Sequence, residues 1–288
     1  KQRQPRQIDI AGWFPHNWRV PPTDPAPFPP DEESVVARAL CLAALFLRGS
    51  LEHGIRTATD PEHYAAFPEF ALHLSQWLNE QDFTAHLTRA ELDHLSKAPG
   101  TWEPELLAAR PAQAESLGIL LWALSMLPGM PGYDSRFGPP NLEPLLGWPS
   151  TGFQNPLDDR LTDFPNFNQS WLRQVVKLRP GPLVVNQRDT VEFWRWRMQV
   201  ADLQSGGVAA PEGMPYPVMI AMAAGEAQAA GAIAQPIKND FPLFEKSLAD
   251  LSADELAGAA MIVRARGVAF DWLCGYWTEW DNVATAMD

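Results

Sequence analysis

Two stretches of this chain are apolar on every face, and nothing else in the sequence limits its fold so strongly. Residues 39–47 read ALCLAALFL, and residues 117–127 read LGILLWALSML. Wound as helices, they offer almost no polar side to water, so each has to be covered all round by other parts of the chain. Two such helices in one chain predict an all-α fold: a single globular helical domain with one core around two central buried helices.

Local signals place further helices around them. Asp31 stands as a cap before the first run, with Glu32 and Glu33 in its first turn, and Gly49 reads as its end. Pro111 suits the first turn of the second run. A helix is expected over 68–81, with Pro68 near its start. Thr88 and Glu91 have capping-box spacing, as do Ser252 and Glu255. From Ser252 onward, Leu256, Ala260, Val263, Gly267, Phe270 and Cys274 recur at steps of four and three, one apolar stripe. Residues 168–178, 187–204 and 217–234 also read as helical, and SGG at 205–207 as a helix end. Residues 182–186 (PLVVN) are the one modest strand candidate.

Two segments break the helical pattern. Proline recurs through residues 15–30, which excludes helix and central strand. Residues 1–30 read as an extended arm that lies on the body (31–288) through Trp13, Phe14, Trp18 and Phe28. Residues 128–167 are rich in Pro, Gly and Asn and form a long irregular loop, with a short helix at 142–148. Loops of that length are often functional.

The chain carries 22 basic and 35 acidic residues, a net charge of -13. That argues against a nucleic-acid partner, which needs clustered Lys and Arg. It fits either simple solubility or a basic protein partner. The two cysteines, Cys41 and Cys274, lie in apolar helical runs and read as buried free thiols, which favours a cytoplasmic setting. No uninterrupted apolar run reaches the roughly 20 residues of a membrane span. The chain begins at Lys1, which leaves a preceding segment open.

Chemistry-bearing motifs are scarce. The six histidines fall between 16 and 94 without ligand spacing, so no metal is expected. There is no GxSxG and no phosphate loop, and no cofactor is expected. Asp158, Asp159 and Asp163 in the middle loop read as a solvated acidic cluster or an acid–base pair. No catalytic residue is assigned.

The most informative short stretch is FWRWR at 193–197. On a helical wheel Arg195 falls on the polar face with Arg188 and Glu192, as a solvated charge ladder. Arg197 falls inside a wide apolar arc between Phe193 and Trp194. A buried guanidinium cannot shed its charge and needs a carboxylate or several carbonyls. Two readings are open: Arg197 snorkels or makes a structural buried pair, or it lines a polar pocket beneath the middle loop. Candidate partners are Glu115, Asp271 and Asp281, each in or beside an apolar segment. Arg38 enters the first central helix in the same way. The candidate site is therefore a buried polar cluster of Arg38, Glu115, Arg197, Asp271 and Asp281, lined by Trp122, Trp194, Trp272 and Trp280.

Four blocks occur in order: ARALCLAALFLRGSLE (37–52), ESLGILLWAL (115–124), EFWRWR (192–197) and FDWLCGYWTEWDNVAT (270–285). The set resembles the bacterial domain-of-unknown-function family 4272. The resemblance implies a bacterial, soluble, helical protein and carries over no catalytic residue. It marks Arg38, Glu115, Trp122, Trp194, Trp272, Trp280 and Asp281 as lying in the blocks. The chain departs at its end, where ATAMD stands in place of an acidic Thr-Asp-Thr-like tail.

Two functions fit these features. One is a non-enzymatic interaction protein that engages a basic partner, for example an immunity-type inhibitor of a bacterial toxin. The other is an enzyme or small-molecule binder whose pocket lies where Arg197 and Arg38 meet carboxylates.

Overall fold

The computed structural model describes residues 29–57, 59, 61–80, 83–138, 142, 176–277 and 280. Helices dominate: α1 (Glu32–Thr57), α2 (Pro61–Glu80), α3 (Arg89–Ser96), α4 (Pro104–Ala108), α5 (Arg110–Ala123), α6 (Gly181–Ser205), α7 (Tyr216–Ala229) and α8 (Ala253–Leu273). The one sheet among the described residues is a two-stranded antiparallel hairpin, β1 (Pro242–Leu243) with β2 (Lys246–Ser247). The fold class is all-α. The arm at 1–28, most of the middle loop, the Asp158, Asp159 and Asp163 cluster and Asp281 lie outside the described residues.

The two all-round apolar runs become α1 and α5, and they pack against each other. In α5 every residue from Ala114 to Ala123 is buried. In α1 burial runs without a break from Val35 to Gly49. By length and composition α1 could cross a bilayer, but nearly all of its apolar stretch is buried inside the protein. A third central helix joins them. The second half of α8 is buried on almost every face from Ala265 to Leu273, because α5 covers one side and α6 the other. The larger contacts run in the spatial order α2, α1, α5, α8, α6, α7. One apolar core extends through that row.

Several boundaries differ from those expected. Gly49 does not stop α1, which continues to Thr57. A Cβ there would meet Arg110 Cδ at 3.1 Å and Trp102 Cζ3 at 3.3 Å, so the glycine makes room for a neighbour. The strand candidate 182–186 is the first turns of α6: Pro182 is placed where a helix tolerates proline, and Val184 packs into the core. Weak β-propensity gives way there to tertiary packing. Pro68 lies inside α2 rather than at its start. Residues 176–178, the described end of the expected 168–178 helix, are not helical, and of 142–148 only Leu142 is described, as helical.

The caps follow the sequence signals closely. Thr88 and Ser252 both form complete capping boxes, with Glu91 and Glu255. α6 ends at Gly206, followed by Gly207 at φ 67°. α5 ends at Ala123, four residues before the apolar run does at Leu127, with Ser125 in the left-handed conformation at φ 60°. Met126 N donates to Leu121 O at 2.9 Å and Ser125 N to Trp122 O at 2.9 Å, the two bonds of a Schellman end. Arg179 completes this end: its Nε donates to Trp122 O at 2.7 Å and its Nη2 to Leu127 O at 2.8 Å. A cation at a helix C-terminus also suits the macrodipole.

Candidate functional site

The expected single cluster is instead a set of separate buried joints. Arg197 is 1% exposed, as its place in the apolar arc implied, but neither Glu115 nor Asp271 meets it, and Asp281 lies outside the described residues. Its partner is Asp240, in the turn before β1. Nε donates to Oδ1 at 2.6 Å and Nη2 to Oδ2 at 2.7 Å, a two-point fork. Asp240 also accepts from Phe241 N at 2.7 Å, Ala249 N at 3.1 Å and Ser247 Oγ at 3.2 Å. Burial works to raise the Asp240 pKa, but Arg197 and the backbone donors outweigh it and hold the carboxyl below its ordinary value.

The turn that carries Asp240 is strained. Lys238, Asn239, Phe244 and Glu245 have φ of 52°, 62°, 51° and 59°, in two consecutive tight turns. Non-glycine residues hold such angles only where the surroundings enforce them. Here the Asp240 carboxylate gathers both turns onto α6.

Glu115 pairs with Arg266 of α8, at 2.8 Å from Nε to Oε2, and both are buried. Arg266 is the arginine beneath the middle loop, the role considered for Arg197. Its remaining N–H groups donate to Pro131 O at 2.7 Å, Ser135 O at 2.9 Å and Gly132 O at 3.2 Å. Its guanidinium lies over the rings of Tyr133 and Phe137, at 4.9 and 5.3 Å. Phe137 N donates to Glu115 Oε1 at 2.8 Å, and the Phe137 ring occupies the space a Cβ at Gly118 would need. Burial pushes the Glu115 carboxyl above its ordinary pKa, and Arg266 opposes that shift.

Asp271 serves a third group. It accepts from Arg195 Nη1 at 2.7 Å and Arg188 Nε at 3.1 Å. Glu192 bridges the same arginines, at 2.5 Å to Arg195 and 3.4 Å to Arg188. Arg195 is thus not on a solvated face: α8 packs there, and the guanidinium lies on Gly267, where a Cβ would overlap it. Arg188 stacks on Tyr276 at 4.6 Å. Arg38 pairs with Glu91 of α3 through both carboxylate oxygens and lies over Trp280 at 4.6 Å. Arg48, which the sequence reading passed over, bonds Glu52 at 2.9 Å and Lys97 O at 2.7 Å.

The four tryptophans do not line one pocket. Trp122 meets Phe270 edge-on at 5.8 Å, and Trp272 meets Trp280 at 5.5 Å. Trp194 stacks on Tyr133 at 4.7 Å and meets Phe241 edge-on at 5.3 Å. It therefore bridges the Arg266 joint to the Asp240 turn.

Gly267 gives a direct test of this packing. In an exposed helix, Gly→Ala gains about 1 kcal/mol. In Gly267→Ala that gain is offset, because the methyl displaces the flexible end of Arg195 and loosens its ion pair with Asp271. A net change under about 1 kcal/mol is expected in urea unfolding.

Asp240, Arg266 and Arg48 are the residues that sequence reasoning missed. Arg266 had a signal: it lies three after Val263 and four before Phe270, on the apolar stripe. Asp240 had none, since no periodic segment contains it. Burial pushes the thiol pKa of both Cys41 and Cys274 up to about 12, so both stay protonated at neutral pH. Among the described residues no group of three or more His, Cys, Asp or Glu side chains could hold a metal ion. No family model, no curated protein and no solved structure matches the chain.

Proposed function

We propose that the protein is a non-enzymatic interaction protein that engages a basic protein partner through its acidic exterior. The observation that carries this reading is where the charges lie. The buried charged residues are Arg38, Arg48, Arg197 and Arg266 against Glu52, Glu115, Asp240 and Asp271, four of each sign. Among the described residues, burial therefore removes charge of the two signs in equal number, and the acidic excess of that part of the chain lies on side chains that reach water. Net negative charge on a rigid helical body raises the rate of encounter with a basic surface. An immunity-type inhibitor of a bacterial toxin is one protein of this kind. The likeness of four sequence blocks to family 4272 supports a bacterial origin, and the two buried thiols support a cytoplasmic setting.

Capture from a native lysate, followed by titration of the captured protein, tests the proposal. The expected partner is basic, and its Kd weakens at least about tenfold between low and physiological salt. Absence of a specific partner at micromolar concentration, or binding indifferent to salt, counts against it.

One observation favours a second reading, a small-molecule binder at the α6 end of the core. Arg197 Nη1 and Trp194 Nε1 are buried N–H donors with no hydrogen-bond partner among the described residues. Buried donors of this kind seek an acceptor, such as a ligand carboxylate. A thermal shift with small carboxylates that disappears in Arg197→Lys supports this reading; the absence of any shift removes it.

A further inference from the structure

The helix α7 breaks a rule that α1 and α5 obey. Its sequence, YPVMIAMAAGEAQA, is apolar nearly all round, and a helix of that kind is normally enclosed. Among the described residues only one side of α7 is enclosed, with Met219, Ile220, Ala223, Ala224 and Ala227 packed inward. The other side presents Val218 and Met222, each 49% exposed, with Gly225 and Ala229 in line. Glu226 and Gln228 mark its two edges.

Gly225 supplies an independent observation. Glycine inside a helix is unfavourable unless something needs the space of the missing Cβ. In α1, α5 and α8 that need is visible. A Cβ at Gly49, Gly54, Gly118, Gly258 or Gly267 would meet a neighbouring side chain at close range. At Gly225 nothing lies within 4 Å. Nothing in the described fold uses the space, and it faces outward in the middle of the apolar side.

Charge selects the occupant. Two copies of a chain with net charge -13 repel wherever acidic surface meets acidic surface. Residues 206–235 hold only two charged residues, Glu212 and Glu226, so this face admits a second copy without that repulsion. A basic partner, in contrast, gains nothing from an uncharged face.

We infer that the chain self-associates through α7, with the α7 helices of two copies crossing at Gly225 across a two-fold axis. Two-fold dimers are the commonest assemblies, and the same patch then serves both sides. One helix face is small against the roughly 800 Å² per partner of a standard interface, so the dimer is concentration-dependent.

Sedimentation equilibrium of the full chain over about 1–200 µM tests this, a range that spans Kd values near the micromolar scale. The wild type is expected to shift from monomer to twice the chain mass. Met222→Glu and Gly225→Leu are expected to weaken the dimer at least about tenfold, equivalent to 1.4 kcal/mol. Both positions are exposed, so an unchanged far-ultraviolet circular dichroism spectrum and melting temperature show that the fold is retained. A wild type that stays monomeric overturns the inference, as does a dimer unaffected by both variants.

Discussion

Arg266→Leu is expected to lower the unfolding free energy by about 3–5 kcal/mol at neutral pH, the usual cost of removing one member of a buried ion pair. That is a large share of the roughly 5–15 kcal/mol that holds a typical domain together. The substitution leaves Glu115, which is 0% exposed, without its counter-charge, and it removes donors from the carbonyls of Pro131, Gly132 and Ser135. The pH dependence identifies the cause. Burial already raises the Glu115 pKa, and Arg266 is the largest opposing influence. In the variant the folded-state pKa rises further above the unfolded value near 4.5. A carboxyl raised in this sense favours the folded state when protonated, so the variant loses stability as pH climbs above that value. Urea midpoints from pH 5 to pH 8 should show the gap between wild type and variant widening. A gap under about 1 kcal/mol at pH 7 would mean that water reaches Glu115 and that the joint is not buried in solution. Limited proteolysis should also cut the variant first within 131–138, where the carbonyls have lost their donors.

The fate of Arg266 and Arg197 shows what a sequence reveals here and what it hides. Helical phase is a property of one segment, so it was legible: α1 and α5 are central because no face of either is polar, and Arg197 is buried because its angle falls among apolar neighbours. The capping boxes at Thr88 and Ser252 are local as well, and both form as written. The partner of a buried charge is not local. Arg197 meets Asp240 across 43 residues and Arg266 meets Glu115 across 151. Phase says only that each charge points inward, not which helix lies opposite. The spatial order α2, α1, α5, α8, α6, α7 decides that, and it puts Glu115 opposite Arg266 rather than Arg197. Asp240 was hidden for a further reason. Tight turns usually advertise themselves with Gly or Asn-Gly, whereas these turns place Lys, Asn, Phe and Glu at positive φ. Gly49 misled in the opposite sense, since a glycine inside a helix can mark a close neighbour as well as an end. The function left no comparable trace, because buried joints of this kind constrain packing rather than chemistry.

Asp240→Ala is expected to cost at least as much as Arg266→Leu, and to do so with a different pH profile. Removing Asp240 strands the Arg197 guanidinium at 1% exposure. Glu115 can take up a proton when it loses its partner, but a guanidinium cannot give one up. The cost of about 3–5 kcal/mol should therefore stay nearly constant from pH 5 to pH 8, where the Arg266→Leu gap widens. At lower pH the wild type converges on the variant. The folded-state pKa of Asp240 is depressed below its ordinary 3.8, so its contribution is complete above that value and is lost as pH falls through the folded value. The damage should also be local before it is global. Asp240 is the common acceptor for Phe241 N, Ala249 N and Ser247 Oγ, and its neighbours in the same segment include four positive-φ residues. Hydrogen exchange should accelerate across 237–249 in the variant while the amides of α1 and α5 keep the most protection. Uniform acceleration over the whole chain would show that the turns and the core unfold as one unit, and that the Arg197 joint secures the core rather than the hairpin. Asp240→Asn separates shape from charge. It keeps an acceptor for the backbone donors but offers an N–H₂ group to one arm of the guanidinium, so its cost should fall between wild type and alanine. If asparagine proves as damaging as alanine, the negative charge on Asp240 rather than its hydrogen bonds holds the two turns against α6.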